Sequence, residues 1–236
     1  MDTAIVVFAR SPEAEAKRLT RDHRQSCLIL EGLVAHTLDT AMAVSDIADI
    51  IVACDGPLDL DRHAPKAVLR QQGRGFEARI INAASDAASL GYKRIIVLGA
   101  DSPSLTVGDL RDAVSSEAEL VVGPASDGGV YLFGLPAGDL DLLRGLPWKL
   151  ASLRHRLTER ARTRGWRIAR LATRRDIDRI ADVARHRRVI ESICLRFLSV
   201  SPFPNVRAWV TLEVARPHSR RFAHPRTERA PPSLLA

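Results

Sequence analysis

Short apolar runs alternate with longer amphipathic stretches along this chain. AIVVFA (4–9) is β-rich and ends in Arg-Ser-Pro, which reads as a buried strand followed by a loop. Over 26–44 the residues Leu30, Leu33, Val34, Leu38, Ala41 and Met42 recur at helical spacing and predict an amphipathic helix. DIIVAC (49–54) is a second buried strand stopped by Asp55-Gly56-Pro57, and a weak strand near 67–69 leads into the loop QQGRG (71–75). The spacing of Phe76, Ile80, Ile81, Ala84, Ala87 and Ala88 predicts a helix over 76–92, with Gly91 as its C-cap. RIIVLGA (94–100) is a third buried strand, and Thr106 can cap a helix running to about Ser115. ELVVGP (119–124) and VYLFGL (130–135) form a strand pair around a glycine-rich turn. A helix over 150–164, a strand over 166–171 and a last helix over 178–195 complete the pattern.

Strands alternating with helices predict a single doubly wound, mostly parallel α/β sheet, and the adjacent pair near 119–135 predicts one antiparallel strand. From about Ser199 the periodicity fails into a proline- and arginine-rich stretch. The expectation is a domain over 1–195 and a poorly ordered basic tail over 196–236.

Charge changes the picture only when it is located. The net charge is +7, but residues 1–145 hold 14 Lys+Arg against 21 Asp+Glu, whereas residues 146–236 hold 21 against 7. The basic excess belongs to the last third, so nucleic acid is not the expected partner of the patterned region. Cys27, Cys54 and Cys194 lack ligand spacing and read as free thiols of a reducing compartment. The N-terminus has an acid where a signal peptide wants a base, and no window approaches the ~18 apolar residues of a membrane helix. A cytoplasmic protein is expected, with its oligomeric state open.

In an open α/β sheet, ligands bind beyond the carboxyl ends of the strands, so the residues just after the strands carry the candidate chemistry. Asp101 and Ser102 follow strand 94–100, where carboxylate and hydroxyl oxygens suit Mg²⁺, or a cap or turn acid. Arg10, Lys17 and Arg18 follow the first strand, as a diphosphate clamp or as part of a solvated helix with Glu13 paired to Lys17. Asp127 lies in GPASDGGVYLFGL (123–135), as a hairpin turn or as an acid facing a ligand that Gly128 and Gly129 let approach. Asp176 and Asp178 follow strand 166–171.

Taken together, VVFARSP (6–12), FEARIINAASDAASLGYKRIIVLGADSPSL (76–105), VVGPASDGGVYLFGL (121–135) with GLPW (145–148), and RDIDRIADV (175–183) resemble one family. It is the bacterial group of nucleotide-diphospho-sugar transferases with the glycosyltransferase-A fold, of the radical-SAM/selenodomain-associated or arsenosugar-biosynthesis type. The resemblance covers about 3–185. It implies a nucleotide-sugar donor, a small-molecule acceptor and Mg²⁺ or Mn²⁺. It further implies that Ala9, Arg10, Lys17, Arg18, Asp101 and Ser102 face the nucleotide, that Asp101 and Asp178 hold the metal, and that Asp127 is catalytic on the acceptor side.

The stretch 12–19 departs from the family's Pro-x-x-Gly-x-x-Lys-Thr-Arg-Leu: it is two residues shorter and lacks the glycine and the threonine. That departure bears on donor binding. A metal-dependent glycosyltransferase is the leading expectation. The alternatives are a guanylyltransferase-like nucleotidyltransferase of the same fold, which would want a glycine-rich basic first loop, and a weakly catalytic nucleotide- or partner-binding protein.

Overall fold

The structure, a computed structural model, describes residues 1–12 and 19–200. Lys17 and Arg18 therefore lie outside the described residues, as does most of the expected basic tail. Seven strands form one sheet: β1 (Thr3–Ala9), β2 (Asp49–Cys54), β3 (Ala67–Arg70), β4 (Arg94–Gly99), β5 (Leu120–Pro124), β6 (Val130–Pro136) and β7 (Ile168–Arg170). Their order across the sheet is β3-β2-β1-β4-β6-β5-β7. All neighbours pair parallel except β6, which runs antiparallel to both β4 and β5. The sheet is thus mixed and mostly parallel, with the carboxyl ends of six strands along one edge.

The strand alternation sorts side chains between two cores. Ala4, Val6 and Phe8 of β1 join the core beneath α2 (Gly75–Ala88) and α4 (Leu153–Thr163). Ile5, Val7 and Ala9 join the core beneath α1 (His23–Met42) and α3 (Val107–Ser115). A third cluster lies between α1 and α6 (Arg187–Val200) and includes Ile177, which is fully buried. After a polar first residue (Thr3, Asp49, Arg94), each strand of the central trio β2-β1-β4 is an unbroken apolar run, because helices cover both faces.

Several boundaries differ from the pattern read along the chain. The second helix stops at Ala88 with Ser89 as its cap, and Gly91 (φ +99°) turns the chain three residues later. The expected helix over 178–195 is two helices, α5 (Ile180–Arg185) and α6, broken at His186, and α6 continues to Val200. No disulfide joins the three cysteines among the described residues, and no helix among them is long and apolar enough to cross a membrane.

Candidate active site

The chain turns from one half of the sheet to the other between β1 and β4. This is where an open α/β sheet places ligands. A cleft of about 380 Å³ opens there. Ala9, Arg10, Asp101, Asp127, Asp176 and Asp178 all line it. Local structure explains how residues so far apart in sequence converge.

Asp101 follows the last residues of β4. Thr106 begins α3 with a full capping box: its hydroxyl accepts from the Asp109 amide and the Asp109 carboxylate accepts from the Thr106 amide. The same Asp109 carboxylate receives both Nε (3.0 Å) and Nη2 (2.8 Å) of Arg174, a bidentate pair that ties the chain beyond β7 to α3. That segment continues alongside β5, with Arg174 N–H donating to the Pro124 carbonyl and Ile177 N–H donating to the Asp101 carbonyl at 3.0 Å. Ile177 faces the third core, and the acids on either side of it, Asp176 and Asp178, reach the cleft.

Asp127 sits in the five-residue connection between β5 and β6. Its Oδ1 accepts the Gly129 amide at 2.8 Å, an Asx turn. Gly128 has φ +96°, and a β-carbon there would stand 2.2 Å from the Ala151 carbonyl oxygen. The Arg154 amide donates to the Gly128 carbonyl, so the turn is locked to the segment before α4. The acid belongs to a turn and also borders the cleft.

Ser102 is placed differently from the expectation that it stands beside Asp101 as a second ligand oxygen. It is 1% exposed, does not line the cleft, and its hydroxyl donates to Oδ1 of Asp176. Burial, with the charges of Asp101, Asp127 and Asp178 close by, pushes the Asp176 carboxyl up to about 6 despite that hydrogen bond. Four carboxylates thus crowd one region.

Arg10 donates from Nε to Asp55 Oδ2 (3.0 Å), and Arg79 of α2 donates to the same oxygen (3.3 Å), while the Ser11 amide takes Oδ1 at 2.9 Å. Burial alone would push the Asp55 carboxyl up; the Ser11 amide and the two guanidinium groups outweigh it and hold it below the ordinary carboxylate range. Asp55 reads in sequence only as the acid of a strand-stopping turn. Its pairing with Arg10, 45 residues away, appears only in three dimensions. Gln71, buried just beyond β3, donates to the Ala9 (2.8 Å) and Ala53 (3.0 Å) carbonyls and closes this corner.

The opposite wall is aromatic. Phe8 meets Phe76 edge-on at 5.7 Å, Phe76 meets Trp148 at 5.7 Å, and Trp148 meets Phe133 at 6.0 Å between ring centroids. All four line the cleft, as does Lys149. Phe8, Phe76, Phe133 and Trp148 each lie in one of the motifs quoted above, but nothing local in those motifs brings the four rings together.

Among the described residues, no group of three or more His, Cys, Asp or Glu side chains is arranged to hold a metal ion. Such a set is not required at a nucleotide site, where Mg²⁺ takes one or two carboxylates and fills its shell with phosphate oxygens and water. Asp101 and Asp178 both line the cleft and could supply that smaller set of carboxylate oxygens.

Comparison with known proteins agrees with this architecture. Residues 37–149 match the model of a family described as "Uncharacterized protein conserved in bacteria (DUF2064)". No curated protein matches the sequence. Among solved structures, one from Desulfovibrio desulfuricans G20, provisionally assigned as a nucleotide-diphospho-sugar transferase, is 21% identical; the match covers 81% of this chain and 98% of that one, with a TM-score of 0.66. CMP:2-keto-3-deoxy-manno-octonic acid synthetase, complexed with CTP, is 13% identical over 81% of this chain and 99% of that one (TM-score 0.53). Glucosyl-3-phosphoglycerate synthase from Mycobacterium tuberculosis, in complex with Mn²⁺, UDP and glucosyl-3-phosphoglycerate, is 14% identical over 82% and 79% (TM-score 0.50). At these identities the likeness establishes the fold. Residues 37–149 thus match the DUF2064 model, and the chain shares its fold with these nucleotide-sugar and nucleotidyl transferases.

Proposed function

We propose that the cleft is the active site of a metal-dependent glycosyltransferase that moves a sugar from a nucleoside-diphosphate donor to the hydroxyl of a small acceptor. The observation that carries this reading is the convergence of Asp101, Asp127 and Asp178 on one cleft at the switch point of the sheet. The fold is shared with proteins of that chemistry, which is consistent with the reading.

In this account Asp101 and Asp178 hold a divalent cation, which when bound neutralises charge on the diphosphate as it departs. The backbone at Ala9 and the Asp55-held Arg10 border the nucleotide. Asp127, oriented by the Gly129 amide, takes the proton of the acceptor hydroxyl as its oxygen bonds to the sugar carbon and the bond to the diphosphate breaks. Ser102 supports the site from beneath, through Asp176, without touching the ligand.

Thermal melts with nucleotides and nucleotide-sugars, with and without Mn²⁺, test the reading. A ligand at 100 times its Kd stabilises the native state by ~2.7 kcal/mol, a readily measured shift. Stabilisation by a nucleotide-sugar that needs Mn²⁺ supports it. Release of pyrophosphate from a nucleoside triphosphate would support the nucleotidyltransferase alternative, and the absence of any nucleotide effect would leave neither standing.

A further inference from the structure

The cleft has two chemically different walls. The acids flank Ile177, whose side chain belongs to the core between α1 and α6, whereas Phe8, Phe133 and Trp148 belong to the core under α2 on the other face of the sheet. Three cations line the cleft among the described residues: Arg10, Arg79 and Lys149. The two arginines share Asp55. Lys149 makes no ion pair and no hydrogen bond through its ammonium among the described residues, and that group stands over the Phe76 ring at 5.2 Å from its centroid. The Phe76 ring is half-buried but Lys149 itself is exposed, and a ring contact made by a solvated ammonium holds it weakly and leaves it available to a stronger partner.

The backbone at Lys149 also calls for an explanation. It has φ +66° and is the only non-glycine residue with positive φ among the described residues. Its neighbours fix it there. The Trp148 amide donates to the Leu146 carbonyl, the Leu150 amide to the Pro147 carbonyl, and Ala151 abuts Gly128 of the Asp127 turn. A long cationic side chain is thus carried in a left-handed conformation that glycine or asparagine adopts more readily, at the rim of the aromatic wall.

We propose that Lys149 binds an anionic oxygen, phosphate or carboxylate, of the ligand that lies against the Phe76–Trp148 wall. This rests on the cleft being the substrate site. The anion has two possible sources, a phosphate of the nucleotide donor or an acidic group on the acceptor, and one experiment separates them. Full-length protein, Lys149→Asn and Lys149→Arg are titrated calorimetrically, without metal, with the four common nucleoside diphosphates and their parent nucleosides. Glycerol 3-phosphate and glycerate are titrated against glycerol in the same way. Asparagine tolerates the left-handed backbone, so its variant keeps the fold, which a melt verifies.

The expected result is that at least one anionic probe binds Lys149→Asn about ten-fold or more weakly, as loss of a charge-assisted contact implies, while Lys149→Arg retains binding and uncharged counterparts do not discriminate. An effect on nucleoside diphosphates assigns the anion to the donor; an effect confined to glycerol 3-phosphate or glycerate assigns it to the acceptor. Equal affinity of wild type and Lys149→Asn for every anionic probe, or no binding of any to wild type, overturns the proposal. The two readings fail separately. Nucleotide binding with Mn²⁺ that depends on Asp101, with no anionic probe sensitive to Lys149→Asn, removes only the lysine. Lys149-dependent binding of glycerol 3-phosphate with no nucleotide binding at all removes only the glycosyltransferase.

Discussion

The hydroxyl of Ser102 donates to Oδ1 of Asp176 across 74 residues of sequence, and this bond lies beneath the cleft. Asp176 is half-buried among other acids, and desolvation together with their charges pushes its carboxyl up from 3.8 to about 6. The native state therefore keeps a proton that the unfolded chain has released, and this group's contribution to stability falls as pH rises through about 6. Asp176→Asn still accepts from Ser102, so it should raise the Tm near pH 8 and change it little near pH 4. Ser102→Ala removes the donor and should cost roughly 1–3 kcal/mol. Melts of the three proteins at both pH values check this, and an Asp176→Asn variant no more stable than wild type near pH 8 would contradict it.

Asp55 gathers Arg10, the Ser11 amide and Arg79, and should behave as a clamp on the start of the first loop. Asp55→Ala should destabilise by about 2 kcal/mol near neutral pH, because three donors lose a charged acceptor. Its carboxyl lies below the ordinary 3.8, so the contribution is present above about pH 4 and is lost as pH falls through the lowered value. Urea unfolding near pH 7 and near pH 3 should show a large difference from wild type shrinking toward acid. A difference independent of pH would count against the clamp.

Gly128 is required twice, by its φ of +96° and by the Ala151 carbonyl 2.2 Å from any added β-carbon. Gly128→Ala should cost about 2–4 kcal/mol, since the obstacle is backbone. Gly138→Ala, where nothing lies within 4 Å, serves as the control and should stay within roughly 0.5 kcal/mol of wild type. Comparable losses at both positions would mean that the close packing of the turn on the segment before α4 is not what matters.

Asp127→Asn keeps an oxygen for the Gly129 amide and so should keep the turn and the Tm. Glycosyl transfer should nevertheless fall by about a hundredfold, as loss of a proton acceptor implies. Unchanged turnover with a lowered Tm would make Asp127 a turn residue alone.

The elements that were legible in sequence are those whose signal is local. DIIVAC gave β2 to the residue because an apolar run is bounded by an acid on one side and Asp-Gly-Pro on the other. Thr106 reads as an N-cap, and α3 follows it directly and runs to Ser115 as expected; the Asp109 half of the capping box appears only in the structure. The strand-end rule also points to residues that the fold gathers: Ala9, Arg10, Asp101, Asp127 and Asp178 line one cleft, although Ser102 does not. The break at His186 was not legible, because apolar spacing runs through it while the backbone there leaves helical geometry (φ −102°, ψ 18°). Nor was the partner of Ser102, nor the tilted contact of Phe76 with Trp148. These are contacts between residues many tens of positions apart, and each residue has an adequate local explanation in its own helix, turn or loop.

Asp101 is proposed to hold the cation through which a nucleoside diphosphate binds. Calorimetric titration of wild type and Asp101→Asn with a nucleoside diphosphate, in the presence and absence of Mn²⁺, tests it most directly. The account predicts that Mn²⁺ strengthens binding to wild type and that Asp101→Asn weakens the Mn²⁺-dependent affinity about ten-fold or more, a loss of about 1.4 kcal/mol for each factor of ten, with the Tm of the metal-free protein kept. Equal Mn²⁺-dependent affinities for the two proteins would contradict it.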